Sequence, residues 1–303
     1  LYHCFGMVLG TLACCAAGAT MIYPSEGFEP DKTMHALKSE SCTAVHGVPT
    51  MFSAMLASSE FNGKPIKSLR TGIMAGSQCP EVLMRRVLYD LGCSEITIAY
   101  GMTETSPISF QSDVNDPVDV RVSTVGRIQP HCEVKIVEHD GSTCAVGQTG
   151  ELWTKGYLVM KGYWNDTEAT QASIENGWMK TGDLATIDNE GFCRIVGRKK
   201  DMVIRGGENI YPAELEEFLT AQKGILEAHV FGIPDEKFGE QLVAWIILEE
   251  GAALDETSIQ NLCKNALAYY KVPAIVRFVK EVPLTATGKP QKFKMREIML
   301  NET

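Results

Sequence analysis

Short apolar runs at residues 20–23, 42–48, 71–75 and 95–99 alternate with helical apolar spacing at 31–38, 50–58 and 80–91. Parallel strands need a crossover of a dozen or more residues, usually a helix, so this alternation is the signature of a parallel sheet covered by helices. Residues 1–125 are therefore expected to be α/β. The third helical run is expected to carry Pro80 in its first turn, where the missing N–H costs nothing.

The texture then changes. Short strands with Gly or Asp-Asn turns, at 133–137, 150–154, 185–187 and 192–195, predict a small β-barrel or a folded-over sheet over 126–197. Asp188-Asn189-Glu190-Gly191 is a hairpin signal between the last two. Gly197-Arg198-Lys199-Lys200-Asp201 breaks the pattern, and the domain boundary is placed there, with 198–201 as a hinge. Residues 202–303 read as a small mobile α+β domain: a Pro-started helix over 212–222, strands at 228–233 and 242–248, a helix over 256–268 and a polar tail.

A chain of 303 residues, 45% apolar and 22% charged, is long enough for two cores. Its formal charge of −10 disfavours a nucleic-acid partner, because a negative field repels phosphate backbones. Cations nevertheless bunch at Arg198, Lys199, Lys200 and Arg205, and again at Lys289, Lys292, Lys294 and Arg296, which suits a small anionic ligand. The ten cysteines form no C-x-x-C pair and have no His at zinc-site spacing, so a reducing compartment is expected. Residues 1–25 carry no Asp, Glu, Lys or Arg and are long enough to span a bilayer. They are rich in Gly, Ala and Cys, with two Thr, and lack flanking cations, so a buried helix followed by a strand is expected there rather than a membrane span. Leu1 stands where a start Met would, mid-pattern, and the chain is read as an N-terminally truncated product.

Four constellations can carry chemistry. Tyr100-Gly101-Met102-Thr103-Glu104 follows a strand, at the carboxyl end where open α/β sheets bind ligands. An aromatic face, a hydroxyl and a carboxylate in that space can stack a base, touch a phosphate and hold Mg²⁺, or form an ordinary strand-to-loop turn. Thr181-Gly182-Asp183 offers a carboxylate suited to two ribose hydroxyls, or a plain turn. Arg198 to Asp201 with Gly206-Gly207-Glu208-Asn209-Ile210-Tyr211-Pro212 puts charge and backbone freedom together between two domains. Thr287-Gly288-Lys289-Pro290 puts one Lys on a turn; it is not a P-loop, since Pro follows the Lys.

The order of these motifs, with Gly150-Glu151-Leu152-Trp153, Gly156-Tyr157 and Gly162-Tyr163-Trp164 between them, resembles the signature of the adenylate-forming superfamily. That superfamily holds acyl- and aryl-CoA synthetases, luciferases and peptide-synthetase adenylation domains. The resemblance covers the whole chain and is nearest to the mitochondrial medium-chain acyl-CoA synthetases. It implies an acid–thiol ligase that uses ATP, Mg²⁺ and coenzyme A to turn a fatty acid into acyl-CoA. Tyr100 would stack on adenine, with Gly76, Ser77 and Gln78 lining the base and Gly101 allowing approach. Thr103 would touch the α-phosphate and Glu104 would hold Mg²⁺. Asp183, helped by Arg198, would bind the ribose. Lys200 matches the hinge, Gly206 and Gly207 the coenzyme A channel, and His3 and Phe5 the acyl pocket. Lys289 would bridge carboxylate and α-phosphate.

One departure matters. The superfamily's Ser/Thr/Gly-rich loop with its Lys, expected before His3, has no counterpart in these residues. The chain alone is therefore expected to be weak or inactive as a ligase. The alternative from another class is a non-catalytic truncation product that binds AMP or a partner. A peptide-synthetase adenylation domain is disfavoured because no carrier domain follows Lys289. Acyl chain length and oligomeric state are not readable, and a mitochondrial matrix location follows from the resemblance alone.

Overall fold

In the computed structural model, which describes residues 3–285 and 288–302, the chain divides between Ile195 and Val196 into two compact units. The first opens with a π-helical stretch, Phe5–Leu12, that continues into α1 (Ala13–Ala17). There follow α2 (Pro30–Ser39), β1 (Ala44–Gly47), α3 (Pro49–Ala57), β2 (Thr71–Ala75), α4 (Glu81–Tyr89) and β3 (Glu95–Tyr100). β1, β2 and β3 are parallel, with Ala44 beside Thr71 and Thr71 beside Glu95. Two short antiparallel strands, β4 (Phe110–Gln111) and β5 (Arg127–Ile128), flank α5 (Val118–Ser123) and extend the sheet in the order β1-β2-β3-β4-β5.

The helices bury one face each because their apolar residues recur at helical spacing. Met34 and Leu37 of α2, Phe52 and Met55 of α3, and Met84 and Val87 of α4 meet Met74, Ile96 and Ile98 of the sheet in one core. Burying a side chain of this size contributes about 1.5–3 kcal/mol. The α/β expectation therefore holds here, with shifts of one or two residues at the ends. Pro80 lies just outside α4, in extended conformation at the N-cap position.

The amino-terminal segment departs from expectation twice. None of the residues of Phe5–Leu12 or α1 is buried, whereas a buried helix was expected. Apolar sequence buries only as far as a second surface covers it, and here most of Phe5–Leu12 reaches only half-burial, with the Phe5 ring stacked on His46. Residues 20–23 form no strand. An extended segment becomes a strand by pairing, and in this sheet β1 pairs only with β2.

The rest of the first unit is antiparallel: β6 (Cys132–Val137), β7 (Gly150–Gly156), α6 (Thr167–Ser173), β8 (Ile174–Glu175), β9 (Trp178–Ile187) and β10 (Cys193–Arg198). Their order is β10-β9-β7-β6, with β8 on β9. The path is open, so the described strands form an open sheet and not the closed barrel of the two expected forms. The predicted hairpin joins β9 to β10: the Asp188 carboxylate accepts from the N–H groups of Glu190 and Phe192, both at 2.9 Å. Phe110, Ile136, Leu152, Ala185 and Cys193 form its core.

The second unit contains β11 (Val203–Arg205), β12 (Glu208–Ile210), α7 (Pro212–Thr220), β13 (Ile225–Asp235), β14 (Gly239–Leu248), α8 (Glu256–Ala266), β15 (Ile275–Phe278) and α9 (Lys292–Glu302). Its sheet runs β12-β11-β14-β13, with β15 parallel to β14. α9 replaces the expected polar tail. Met295, Ile298 and Met299, spaced three and four apart, pack on Phe231, Ile233, Val243 and Trp245, which gives the helix one core-facing stripe.

Candidate active site

In the first unit the candidate residues lie at the carboxyl ends of two adjacent parallel strands. Gly76, Ser77 and Gln78 follow β2, and Tyr100 ends β3 before Gly101. Ala75 and Ala99 are register partners, so the two segments leave the sheet side by side. Such paired strand ends are where open α/β sheets hold ligands.

Asp183 reaches this place from β9. Glu151 pairs with Leu184 and Trp153 with Lys180, so Thr181, Gly182 and Asp183 together oppose Leu152 as a bulge. A bulge re-aims side chains that a regular ladder would point elsewhere. The Thr181 hydroxyl donates to Leu152 O at 2.7 Å and accepts from Asp183 N at 3.1 Å, fixing the turn. Asp183 is only 7% exposed, and a carboxylate buried to that extent needs partners. Tyr100 supplies one, donating its hydroxyl to Asp183 Oδ2 at 2.6 Å. Burial, and then the charge of Asp183, pushes the Tyr100 phenol well above its usual pKa, so it stays a donor at neutral pH. The Tyr100 ring meets Phe110 edge to face at 6.2 Å.

Thr103 and Glu104 sit on a single 3₁₀ turn, Thr103–Thr105. Glu104 Oε1 accepts from the Tyr163 hydroxyl at 2.8 Å. Thr103 Oγ1 lies 3.4 Å from Cys4 Sγ, which brings the amino-terminal segment to the same turn. His3 Nδ1 accepts from Phe5 N at 3.2 Å, and the Phe5 ring stacks on His46 at 6.0 Å and 17°. Burial pushes the His46 imidazole below its usual pKa, which keeps it neutral. The structure thus joins Tyr100 to Asp183 and the His3–Phe5 segment to Thr103. Sequence reasoning missed Cys4, His46, Thr181 and Tyr163 as neighbours. Tyr163 and Thr181 carried a signal, since they belong to the Gly-Tyr-Trp and Thr-Gly-Asp runs; Cys4 and His46 carried none.

The second unit holds the remaining candidates. Arg198 ends β10, and Lys200 is exposed on the 3₁₀ turn Lys199–Asp201. Gly206 and Gly207 are the two loop residues between β11 and β12, with Arg205 paired to Glu208. Their φ values of 60° and 90° are those of a two-residue primed hairpin turn, which side-chain-bearing residues adopt at a cost. Arg205 donates to the carbonyls of Tyr270 and Val272 at 2.8 and 3.0 Å and is committed to structure. Lys289 lies on a loop closed by a short bridge between Leu284 and Pro290. Its N–H donates to Thr285 Oγ1 at 3.0 Å and its carbonyl accepts from Thr285 N at 2.8 Å. Ala286 and Thr287 lie outside the described residues.

Among the described residues no group of three or more His, Cys, Asp or Glu could enclose a metal ion. That fits Mg²⁺, which is held by one or two carboxylates plus substrate phosphates and keeps several waters. Glu104 has the chemistry for such a share: a carboxylate has about four lone-pair sites, and the Tyr163 hydroxyl engages one of them. No helix among the described residues is long and apolar enough to cross a membrane.

A helix-covered α/β unit with polar groups on adjacent strand ends is followed by an α+β unit that carries Lys289 on the loop before its last helix. The chain belongs to the AMP-binding enzyme family: residues 1–164 match that family and residues 214–289 match the AMP-binding enzyme C-terminal domain. It is 50% identical over 300 residues to the putative acyl-CoA synthetase YngI of Bacillus subtilis, covering 98% of this chain and 54% of that protein. It is 45% identical over 299 residues to the mitochondrial medium-chain acyl-CoA ligase ACSF2 of Danio rerio, covering 98% and 49%. Among solved structures, o-succinylbenzoate CoA synthetase of Bacillus subtilis with its acyl-adenylate intermediate is similar at a TM-score of 0.84 and 31% identity, covering 98% of this chain and 59% of that one. The chain spans about half the length of the curated relatives it matches.

Proposed function

We propose that the full-length protein carrying this chain is an acid–thiol ligase that activates a medium-chain fatty acid and transfers it to coenzyme A. A carboxylate oxygen attacks the α-phosphorus of ATP and pyrophosphate leaves; the coenzyme A thiolate then attacks the acyl carbon and AMP leaves. The observation that carries this reading is the Tyr100–Asp183 pair: an aromatic face beside a buried, oriented carboxylate suits adenine and the two ribose hydroxyls. Gly76, Ser77 and Gln78 line the base in this reading, and Arg198 assists Asp183. Thr103 offers its hydroxyl to the α-phosphate.

Both reactants of the first step are anions, so positive charge is required where they meet. Lys289 is the protein's own cation for that purpose, a compact ammonium on a built turn. Glu104 would hold Mg²⁺, which supplies charge neutralisation at the phosphates. Lys200 serves as the hinge, and the Gly206-Gly207 turn as the place where the pantetheine arm passes. His3 and Phe5 lie beside the acyl group in this reading, and the apolar Phe5, Val48 and Met51 suit a fatty chain over an amino acid, whose ammonium would need a buried partner.

Pyrophosphate release by the full-length protein, measured with ATP and a series of saturated fatty acids, tests the reading. Release that peaks at medium chain length supports it; AMP binding with no turnover favours the non-catalytic alternative. The 303 residues alone contain no Ser/Thr/Gly-rich loop with a Lys for the β- and γ-phosphates, and trace turnover is expected from them. A mitochondrial location belongs to this reading through the mitochondrial acyl-CoA ligases among the vertebrate relatives, and subcellular fractionation decides it.

A further inference from the structure

The Gly162-Tyr163-Trp164 run belongs to the sequence signature but has no chemistry attached to it, and in the structure it is what grips Glu104. Met160 N donates to Glu104 O at 2.8 Å, and the Tyr163 hydroxyl donates to Glu104 Oε1 at 2.8 Å. One loop therefore holds the same residue by main chain and by side chain. The loop is itself fixed to α6. Tyr163 N donates to Thr170 Oγ1 at 2.9 Å, Thr170 Oγ1 donates to Asp166 O at 2.7 Å, and the Asp166 carboxylate caps the helix by accepting from Ala169 N at 2.9 Å. Tyr163 and Asp166 also form a short antiparallel bridge.

A Glu carboxylate on a surface turn rotates broadly about its last torsion. Any ligand that needs it in one orientation must fix that torsion on binding, and a group fixed beforehand binds with less loss. We infer that Tyr163 is a positioning residue that engages one oxygen of Glu104 and presents the other, in a set orientation, to the divalent cation accompanying ATP. This rests on the reading of Glu104 as the metal-holding carboxylate. Tyr163 acts through Glu104 in this inference, so its effect is expected on metal affinity.

The test uses the full-length protein. Tyr163→Phe keeps the ring and removes only the donor. Direct binding of Mn²⁺ in the presence of a non-hydrolysable ATP analogue, read from the loss of the free-ion resonance, is expected to weaken about 3- to 10-fold, the size of one net hydrogen bond. AMP affinity without metal is expected to stay at the wild-type value, and the Mg²⁺ concentration for half-maximal turnover to rise by the same factor at unchanged KM for the acid. Unchanged Mn²⁺ binding in Tyr163→Phe, with weakened binding in Glu104→Gln, overturns the inference while leaving Glu104 as the metal carboxylate. Equal losses in metal-free AMP binding and in Mn²⁺ binding also overturn it, since they mark a general loosening of the turn. Unchanged Mn²⁺ binding in Glu104→Gln overturns the underlying reading of Glu104.

Discussion

The Tyr100 hydroxyl donates to Asp183 Oδ2 at 2.6 Å, tying the end of β3 to the bulge in β9. A side chain at a parallel-strand terminus thus orients a carboxylate that comes from the neighbouring antiparallel sheet. Tyr100→Phe retains the aromatic face and loses the donor. It is expected to weaken AMP binding about 3- to 10-fold in calorimetric titration. Asp183→Ala is expected to weaken it more, and the double variant to be no worse than Asp183→Ala alone, because the hydroxyl acts through the carboxylate.

The same contact sets a pH dependence. Burial, followed by the Asp183 charge, raises the folded-state pKa of Tyr100 above the value near 10 of an unfolded tyrosine. The folded protein keeps this proton after the unfolded chain has lost it. The contribution is therefore complete below about pH 10 and declines as pH rises toward the folded value. Urea midpoints measured across that range are expected to fall less steeply for Tyr100→Phe than for the wild type.

Gly101 is held by close approach. A Cβ on it would stand 1.9 Å from the carbonyl oxygen of Pro107, a backbone atom that cannot rotate away. Gly101→Ala must displace the turn that carries Thr103 and Glu104. Overpacking of this kind costs about 1–3 kcal/mol or more. A lower denaturation midpoint together with weaker AMP binding is the expected outcome, and an unchanged midpoint would show that the loop yields freely.

The cysteines offer a check on burial in both units. Desolvation pushes the thiols of Cys93 and Cys193 up to about 12 and that of Cys263 up to about 11, and all three are buried. The thiolate is the reactive form, so these should resist alkylation until the chain unfolds. Cys15 is exposed and should react first. Mass mapping of alkylated peptides from native and urea-unfolded protein distinguishes the two groups.

What the sequence revealed depended on where the relevant contact was local. β2 was legible to the residue, because Thr71–Ala75 is apolar and bounded by turn signals. The hairpin at Asp188 was legible because Asp caps its own turn. The core face of α9 was missed: Met295 and Met299 stand among Lys, Arg and Glu, and only the packing surface of β13 and β14 makes them core. The incomplete burial of the amino-terminal helix was missed for the converse reason, since apolar sequence announces a need for burial and not what supplies it. At the site, Tyr100 and Asp183 were each singled out, but their contact spans 83 positions and follows from a bulge that no local pattern encodes.

Lys289 offers the sharpest separation between the two half-reactions. Its main chain is clamped to Thr285 on both sides, so replacing the side chain removes the ammonium and leaves the turn intact. If the ammonium offsets repulsion between the acid and the α-phosphate, Lys289→Ala in the full-length protein slows acyl-adenylate formation ~10²–10³-fold, the usual size for losing one transition-state partner. Thioester formation from supplied acyl-adenylate contains no such encounter of anions and is expected to stay near the wild-type rate. Rapid-quench measurement of each half-reaction separates the cases. Equal slowing of both steps would assign Lys289 a general structural role, and normal adenylate formation would remove it from the chemistry altogether.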